Sequence, residues 1–103
     1  MDDKKIRQLF LEHVQELAGD DTLQVYVDIP DFVRGANFKK DDRYVCKILS
    51  YLLSKIYEKK IVHDIESCVG PCIKLNFKEE TKEMRKHNDN WLVDYVEGME
   101  NKL

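Results

Sequence analysis

The feature that most constrains the fold is residues 28–77, where two helical patterns are followed by two strand patterns. The first helical pattern opens with Asp28 and Pro30, which suit a helix cap and a first turn, and Gly35 is placed to end it. A second helix is predicted over 41–57, because apolar side chains recur there at helical spacing and leave one polar face. These apolar side chains are Val45, Ile48, Leu49, Leu52, Leu53 and Ile56. Residues 61–66 and 72–77 alternate at strand spacing and predict a β-hairpin.

Helical and strand patterns also flank this stretch. Residues 5–18 form an amphipathic helical pattern, and residues 22–28 alternate as a short strand does. Residues 79–101 predict a long C-terminal helix, with polar first turns that include Arg85 and an apolar stripe in its second half. Asn88, Asp89 and Asn90 are positioned to break or kink it, since short polar side chains compete with helical hydrogen bonds. The sequence therefore predicts an α+β chain.

This order of elements resembles, as a pattern, the winged helix-turn-helix superfamily. The resemblance implies one winged-helix domain over residues 1–103, with the helix-turn-helix at 29–57, the wing at 61–77 and the C-terminal helix at 79–101. It also implies that the short strand pairs with the wing in a three-stranded sheet, and that the helix over 41–57 docks into the DNA major groove.

Charge is distributed unevenly along the chain. The net charge is −3, yet residues 34–60 hold eight basic and three acidic side chains, so this segment carries +5 and the remainder −8. Such a split is typical of an interaction surface, although a lysine-rich solvated helix face gives the same pattern. We therefore expect the basic segment to carry the function.

Candidate contacts to double-stranded DNA lie on the polar face of the helix over 41–57 and in the break before it. Arginine and lysine can reach guanine edges or phosphates, and serine can hydrogen-bond to either. The predicted DNA-binding residues are Lys39, Lys40, Arg43, Lys47, Ser50 and Ser54. The sequence thus predicts a small DNA-binding protein, a dimeric transcriptional regulator.

Two features favour a different partner. Asp41 and Asp42 stand at the start of the predicted recognition helix, where carboxylates would meet phosphates unfavourably. The wing tip holds Glu66 and no basic residue, unlike the wing of a typical DNA-binding member of the superfamily. The alternative is therefore a winged-helix protein–protein interaction module, such as a small viral or accessory protein, whose basic face docks an acidic protein.

The C-terminal apolar stripe predicts either core packing or a homodimer interface. Trp91, Tyr95 and Met99 lie on this stripe, and so short a chain gains stability by covering them. We predict that they form the dimer contact, in which the helices over 5–18 and 79–101 pack together.

Metal, redox and catalytic roles have weaker support in the sequence. His63, Cys68 and Cys72 supply three zinc-ligand side chains with only the distant His87 as a fourth, and structural zinc takes four, so no metal is expected. The alternative role for Cys68 and Cys72 is a reversible disulfide between them. A phosphate-binding glycine loop, a nucleophile elbow and a zinc-protease motif are all missing, so we expect neither catalysis nor a cofactor.

Composition sets the remaining expectations. Hydrophobic residues make up 43% and charged residues 36% of 103 residues, which is typical of one globular domain. No apolar run approaches the ~20 residues of a membrane span, and the charged N-terminus lacks the apolar core of a secretory signal. Three cysteines do not form an even disulfide framework. We therefore expect a cytoplasmic protein without membrane contact.

Overall fold

The computed structural model describes residues 3–36, 42–67 and 70–98. Within them the chain is α+β, with helical segments packed on one three-stranded antiparallel sheet, which confirms the predicted class. The elements in chain order are α1 (Asp3–Ala18), β1 (Gln24–Asp28), α2 (Ile29–Ala36), α3 (Asp42–Glu58), β2 (Val62–Ser67), β3 (Cys72–Phe77), α4 (Thr81–His87) and α5 (Trp91–Val93), which continues as a π-helical segment (Asp94–Gly98).

Helix α1 lies against the rest of the chain through an apolar stripe. Ile6, Phe10 and Val14 are completely buried, as spacing of three to four residues requires for one helix face. The helix ends at Gly19, whose φ of +58° favours glycine and whose N–H donates to the carbonyl of Gln15 at 3.0 Å. The sequence-based bounds, 5–18, agree with this helix to within two residues.

The sheet has the strand order β1-β3-β2, so the first strand pairs with the last. Gln24 lies opposite Asn76 and Asp28 opposite Cys72, without interruption between them. The β2–β3 ladder, in contrast, shifts register between Val62 and Asp64. The predicted strand over 22–28 and the predicted hairpin are thereby both present, and β1 does pair with the hairpin.

Helices α2 and α3 follow β1 in the predicted order. Asp28 caps α2, because its Oδ1 accepts a hydrogen bond from the Asp31 N–H at 3.0 Å. Phe32 of α2 is buried and its ring meets that of Phe10 edge-on, with centroids 5.3 Å apart. Residues 37–41, which include the predicted break and the predicted contacts Lys39 and Lys40, lie outside the described residues.

The prediction of a long helix over 79–101 is wrong as a continuous element, whereas the break predicted at Asn88–Asn90 is present. Asn88 has an extended backbone (φ −156°, ψ 114°) that ends α4 at His87. Its side-chain Oδ1 accepts the N–H of Asn90 at 2.9 Å, and its Nδ2 donates to Asp94 at 2.8 Å. The side chain of Asn88 thus replaces the hydrogen bonds of a continuous helix.

Helix α5 is instead anchored to α1. The side-chain Oε1 of Gln15 accepts hydrogen bonds from the backbone N–H groups of Leu92 and Val93, at 2.9 and 2.8 Å. Arg7 forms an ion pair with Glu97 at 3.0 Å. A side chain of α1 therefore satisfies the free N–H groups at the start of α5, and the predicted packing of the first helix on the C-terminal region is observed.

Candidate nucleic-acid interface

Helix α3 has one face in the core and the opposite face in solvent. Val45, Leu49 and Leu52 are at most 3% exposed, and Ile48 and Ile56 are also buried. The residues on the opposite side of the helix are all exposed, and they are the four predicted contacts that α3 carries: Arg43, Lys47, Ser50 and Ser54. The structure therefore presents these four side chains together on one accessible helix surface, which we call the α3 outer face.

The α3 outer face contains no carboxylate between its two ends. The acidic residues of the helix are Asp42 and Glu58, its first and last positions, whereas Arg43, Lys47 and Lys55 lie between them. The charged residues of the helix between these two ends are therefore all basic. A positive helix surface suits phosphates or an acidic protein.

Tyrosines flank this surface, and the sequence analysis did not identify them. Tyr44, Tyr51 and Tyr57 are 39%, 51% and 59% exposed. Tyr51 follows Tyr44 by seven residues, which places both rings on the same side of the helix; this spacing was the available signal. The Lys55 ammonium lies 5.3 Å from the centre of the Tyr51 ring.

A cleft of about 380 Å³ runs beside the α3 outer face, between α3 and the start of α1. Tyr44 and Tyr51 line it together with Lys47, and α1 contributes Asp3 and Arg7. The Tyr44 hydroxyl donates a hydrogen bond to the Asp3 carboxylate, which fixes the Tyr44 ring at the cleft wall. Aromatic rings beside cations are able to contact either planar bases or a protein side chain.

The β2–β3 hairpin has a different electrostatic character. Residues 61–77 contain one lysine and no arginine. That lysine, Lys74, forms an ion pair with Glu66 at 3.3 Å, and Glu66 also accepts a hydrogen bond from Asn76 at 2.9 Å. The hydrogen bond from Asn76 is the main cause that lowers the pKa of Glu66, and the hydrogen bond from Lys74 lowers it further. The hydrogen bond to Glu66 in turn raises the pKa of Lys74. The cation of the hairpin is therefore engaged with a neighbour in its own sheet.

The residues predicted to form the dimer contact differ in how deeply they are buried. Trp91 is 4% exposed, and its ring lies edge-on to that of Phe77 with centroids 5.5 Å apart. Tyr95 is half-buried and its hydroxyl donates to the Lys59 carbonyl at 3.3 Å. Met99 lies outside the described residues. Trp91 is thus a core residue of the single chain with little surface for a partner, and the dimer itself stays a prediction.

The side chains near the hairpin that could bind zinc are not brought together among the described residues. His63 is exposed and Cys72 is half-buried, with its thiol 3.7 Å from the Ile73 carbonyl. Cys68 lies outside the described residues. Residues 3–36, 42–67 and 70–98 hold no group of three or more His, Cys, Asp or Glu side chains arranged for a metal ion.

Comparison with known proteins adds no identification. Neither protein-family models, nor curated proteins, nor solved structures match this chain. A search of the helices in the described part of the chain finds none that is long and apolar enough to cross a membrane.

Proposed function

We propose that this chain is a small winged-helix DNA-binding protein that acts in transcription regulation and contacts duplex DNA with the α3 outer face. The order α1-β1-α2-α3-β2-β3 and the three-stranded sheet are those expected for a winged helix. The observation that carries the proposal is the exposed helix surface, on which the charged residues between Asp42 and Glu58 are all basic.

In this proposal the residues of α3 divide between base and phosphate contacts. Arg43 is close to the helix N-terminus, the end that enters the major groove, and its guanidinium can donate to O6 and N7 of guanine. Lys47 lies one turn later and suits a phosphate, while the hydroxyls of Ser50 and Ser54 suit phosphate or base edges. Lys39 and Lys40 are assigned to the DNA backbone from the sequence alone.

Fluorescence anisotropy with a labelled random-sequence duplex tests the proposal. A protein with six or so phosphate contacts loses on the order of 10³-fold affinity between 50 and 200 mM salt. The double variant Arg43→Ala, Lys47→Ala should bind at least about tenfold more weakly at low salt, which corresponds to about 1.4 kcal/mol. The matched control removes two lysines from another helix, Lys82→Ala with Lys86→Ala on α4.

The two sets of variants give a clear decision. Equal loss of affinity in both would mean that binding follows total charge rather than the α3 outer face. Failure of the wild-type chain to bind any duplex at low salt would remove the proposal.

A second function is favoured by the exposed tyrosines. Tyrosine and arginine are enriched at the energetic centres of protein interfaces. The hairpin over 61–77 carries two carboxylates and one lysine, and this excess of negative charge disfavours contact with DNA. In this reading the cleft beside Tyr44 and Tyr51 receives an acidic protein segment. A poly-glutamate peptide that binds the wild type but not the variant Tyr51→Ala, with no binding to duplex, would support it; the control is Tyr57→Ala, an exposed tyrosine of the same helix that does not line this cleft.

A further inference from the structure

The sheet has two edges, β1 and β2, and they differ in their protection against pairing with another strand. Strand β2 carries Asp64 and Glu66 and a register shift next to Val62, features that discourage edge pairing. Strand β1 pairs with β3 at five consecutive positions without a shift, and it contains neither proline nor lysine. The β1 edge therefore carries fewer protective features than the β2 edge, with one acidic side chain, Asp28, and no register shift.

The hydrogen bonds at the two ends of β1 define which backbone groups face outward. The Phe77 N–H donates to the Leu23 carbonyl at 2.8 Å, and the Ile29 N–H donates to the Pro71 carbonyl at 3.1 Å. Since antiparallel pairs alternate, the backbone groups of Val25 and Val27 also face β3. Those of Gln24, Tyr26 and Asp28 therefore point away from β3, toward the edge of the sheet. Tyr26 is at the centre of this edge and its side chain is 56% exposed.

We infer that a second copy of this chain pairs with the β1 edge in antiparallel orientation, about a two-fold axis at Tyr26. In this register Tyr26 lies opposite the partner's Tyr26, and the backbone N–H of each donates a hydrogen bond to the carbonyl of the other. Gln24 lies opposite the partner's Asp28, so the charged side chain of each strand meets a neutral amide. The two sheets join into one continuous sheet, with Val25 opposite the partner's Val27 on its buried face.

The β2 edge does not offer the same self-complementarity. There the ladder with β3 uses the backbone groups of Asp64 and Glu66, which leaves those of Ile65 facing outward. A two-fold axis at Ile65 would place Asp64 opposite the partner's Glu66. Like charges directly opposite each other destabilise a strand pair. Charge therefore favours β1 over β2 as the edge that pairs with a second copy.

This contact is independent of DNA binding, and it uses a surface other than the predicted one at Trp91, Tyr95 and Met99. Residue 26 faces itself across the proposed axis, so charge reversal tests the register directly. The variants Tyr26→Lys and Tyr26→Glu each place like charges opposite one another. Sedimentation velocity of the full chain without DNA, from low to high micromolar concentration, should show a dimer for the wild type and a monomer for each variant. An equimolar mixture of the two variants should restore the dimer.

The control is Ser67→Lys, an exposed position at the β2 edge, which should remain dimeric. A wild type that stays monomeric over the whole range would overturn the inference. The same holds if either charged variant still dimerises, or if the mixture stays monomeric.

A measurement without substitutions covers the case in which a variant does not fold. The Tyr26 N–H of the wild type should exchange with solvent more slowly as protein concentration rises, in step with the dimer fraction, because the dimer pairs this group with a carbonyl of the partner. The N–H of Val25, which faces β3, should change less. A Tyr26 exchange rate that does not depend on concentration would contradict the proposed pairing.

Discussion

Arg43 and Arg85 place the same side chain in opposite environments. Arg43 lies in solvent on the α3 outer face, whereas Arg85 is 5% exposed in the interior. The Arg85 guanidinium donates to the Thr22 carbonyl at 2.8 Å and to the Thr81 hydroxyl at 3.1 Å. It also lies 4.7 Å from the centre of the Trp91 ring. Net charge therefore counts together an exposed cation on a helix surface and a buried cation used to assemble the fold.

The interior arginine joins regions that are distant in sequence. Besides Thr22, it reaches the Ala18 carbonyl at the end of α1, at 3.4 Å, where the helix dipole favours a positive charge. Burial lowers the pKa of Arg85, and Asp21 and Asp20 oppose this shift. A guanidinium stays protonated in proteins despite such a shift. Arg85 thus connects α1, α4 and Trp91 as a charged core residue.

The largest expected effect comes from the apolar side of α3, which provides a reference for both arginines. Leu52 is 1% exposed, so Leu52→Ala should lower the free energy of unfolding by about 2–5 kcal/mol. Urea denaturation followed by circular dichroism measures this. Ser54→Ala, on the α3 outer face, is the control and should have little effect. Equal stability of Leu52→Ala and wild type would mean that α3 packs through another face.

The second prediction tests the structural role of Arg85. Arg85→Ala should cost about 2–4 kcal/mol of unfolding free energy, because it removes the hydrogen bonds to Thr22 and Thr81 and the cation–π contact with Trp91. The matched control is Lys82→Ala on the same helix, which should stay within about 0.5 kcal/mol of wild type. The same urea titration compares them. Similar midpoints for the two variants would show that Arg85 behaves as a surface cation.

Sequence patterns predict the local elements of this chain well because their determinants are local. The spacing of Val45, Leu49 and Leu52 suffices to place α3, and Asp28 and Pro30 suffice to place the start of α2. The predicted bounds of both helices agree with the structure to within one or two residues. The exposed positions of Arg43 and Lys47 also follow from helical spacing alone.

The C-terminal region was not predicted because its determinants are tertiary. Nothing local to Gln15 indicates that its side chain binds the start of α5, and Arg85 reads as one more charge on a polar helix. Trp91 seemed to need a dimer partner because its neighbours, Phe77 and Arg85, come from other elements. Asn88 was the one local signal, since its short polar side chain already indicated a break.

The third prediction concerns the exposed cations, and it reverses the pattern expected for Arg85. Arg43→Ala should weaken DNA binding by about 1–3 kcal/mol and relax sequence preference, as expected for a base contact. Lys47→Ala should weaken binding to all duplexes alike and lower the salt slope by about 1, as expected for a phosphate contact. Both should change unfolding free energy by less than about 0.5 kcal/mol. Anisotropy and urea titration on the same samples separate the effect on DNA binding from the effect on stability. A large loss of stability would mean that the residue has a structural role like that of Arg85.

The smallest expected effect concerns Lys74, a half-buried cation that has a partner in its own sheet. Its partner Glu66 has a lowered pKa, mainly through the Asn76 hydrogen bond, so the folded state favours ionised Glu66. The contribution of Glu66 to stability is therefore complete above the ordinary glutamate pKa of 4.5 and is lost as the pH falls through the lower value of the folded state. Glu66→Gln should lower the thermal midpoint slightly at neutral pH and reduce the acid-induced drop by the same small amount, because glutamine lacks the carboxylate that titrates. Circular dichroism melts at neutral and acidic pH compare it with Glu80→Gln, an exposed carboxylate that should retain the wild-type drop. If the two variants give the same acid response, the Lys74–Glu66 pair contributes nothing to stability.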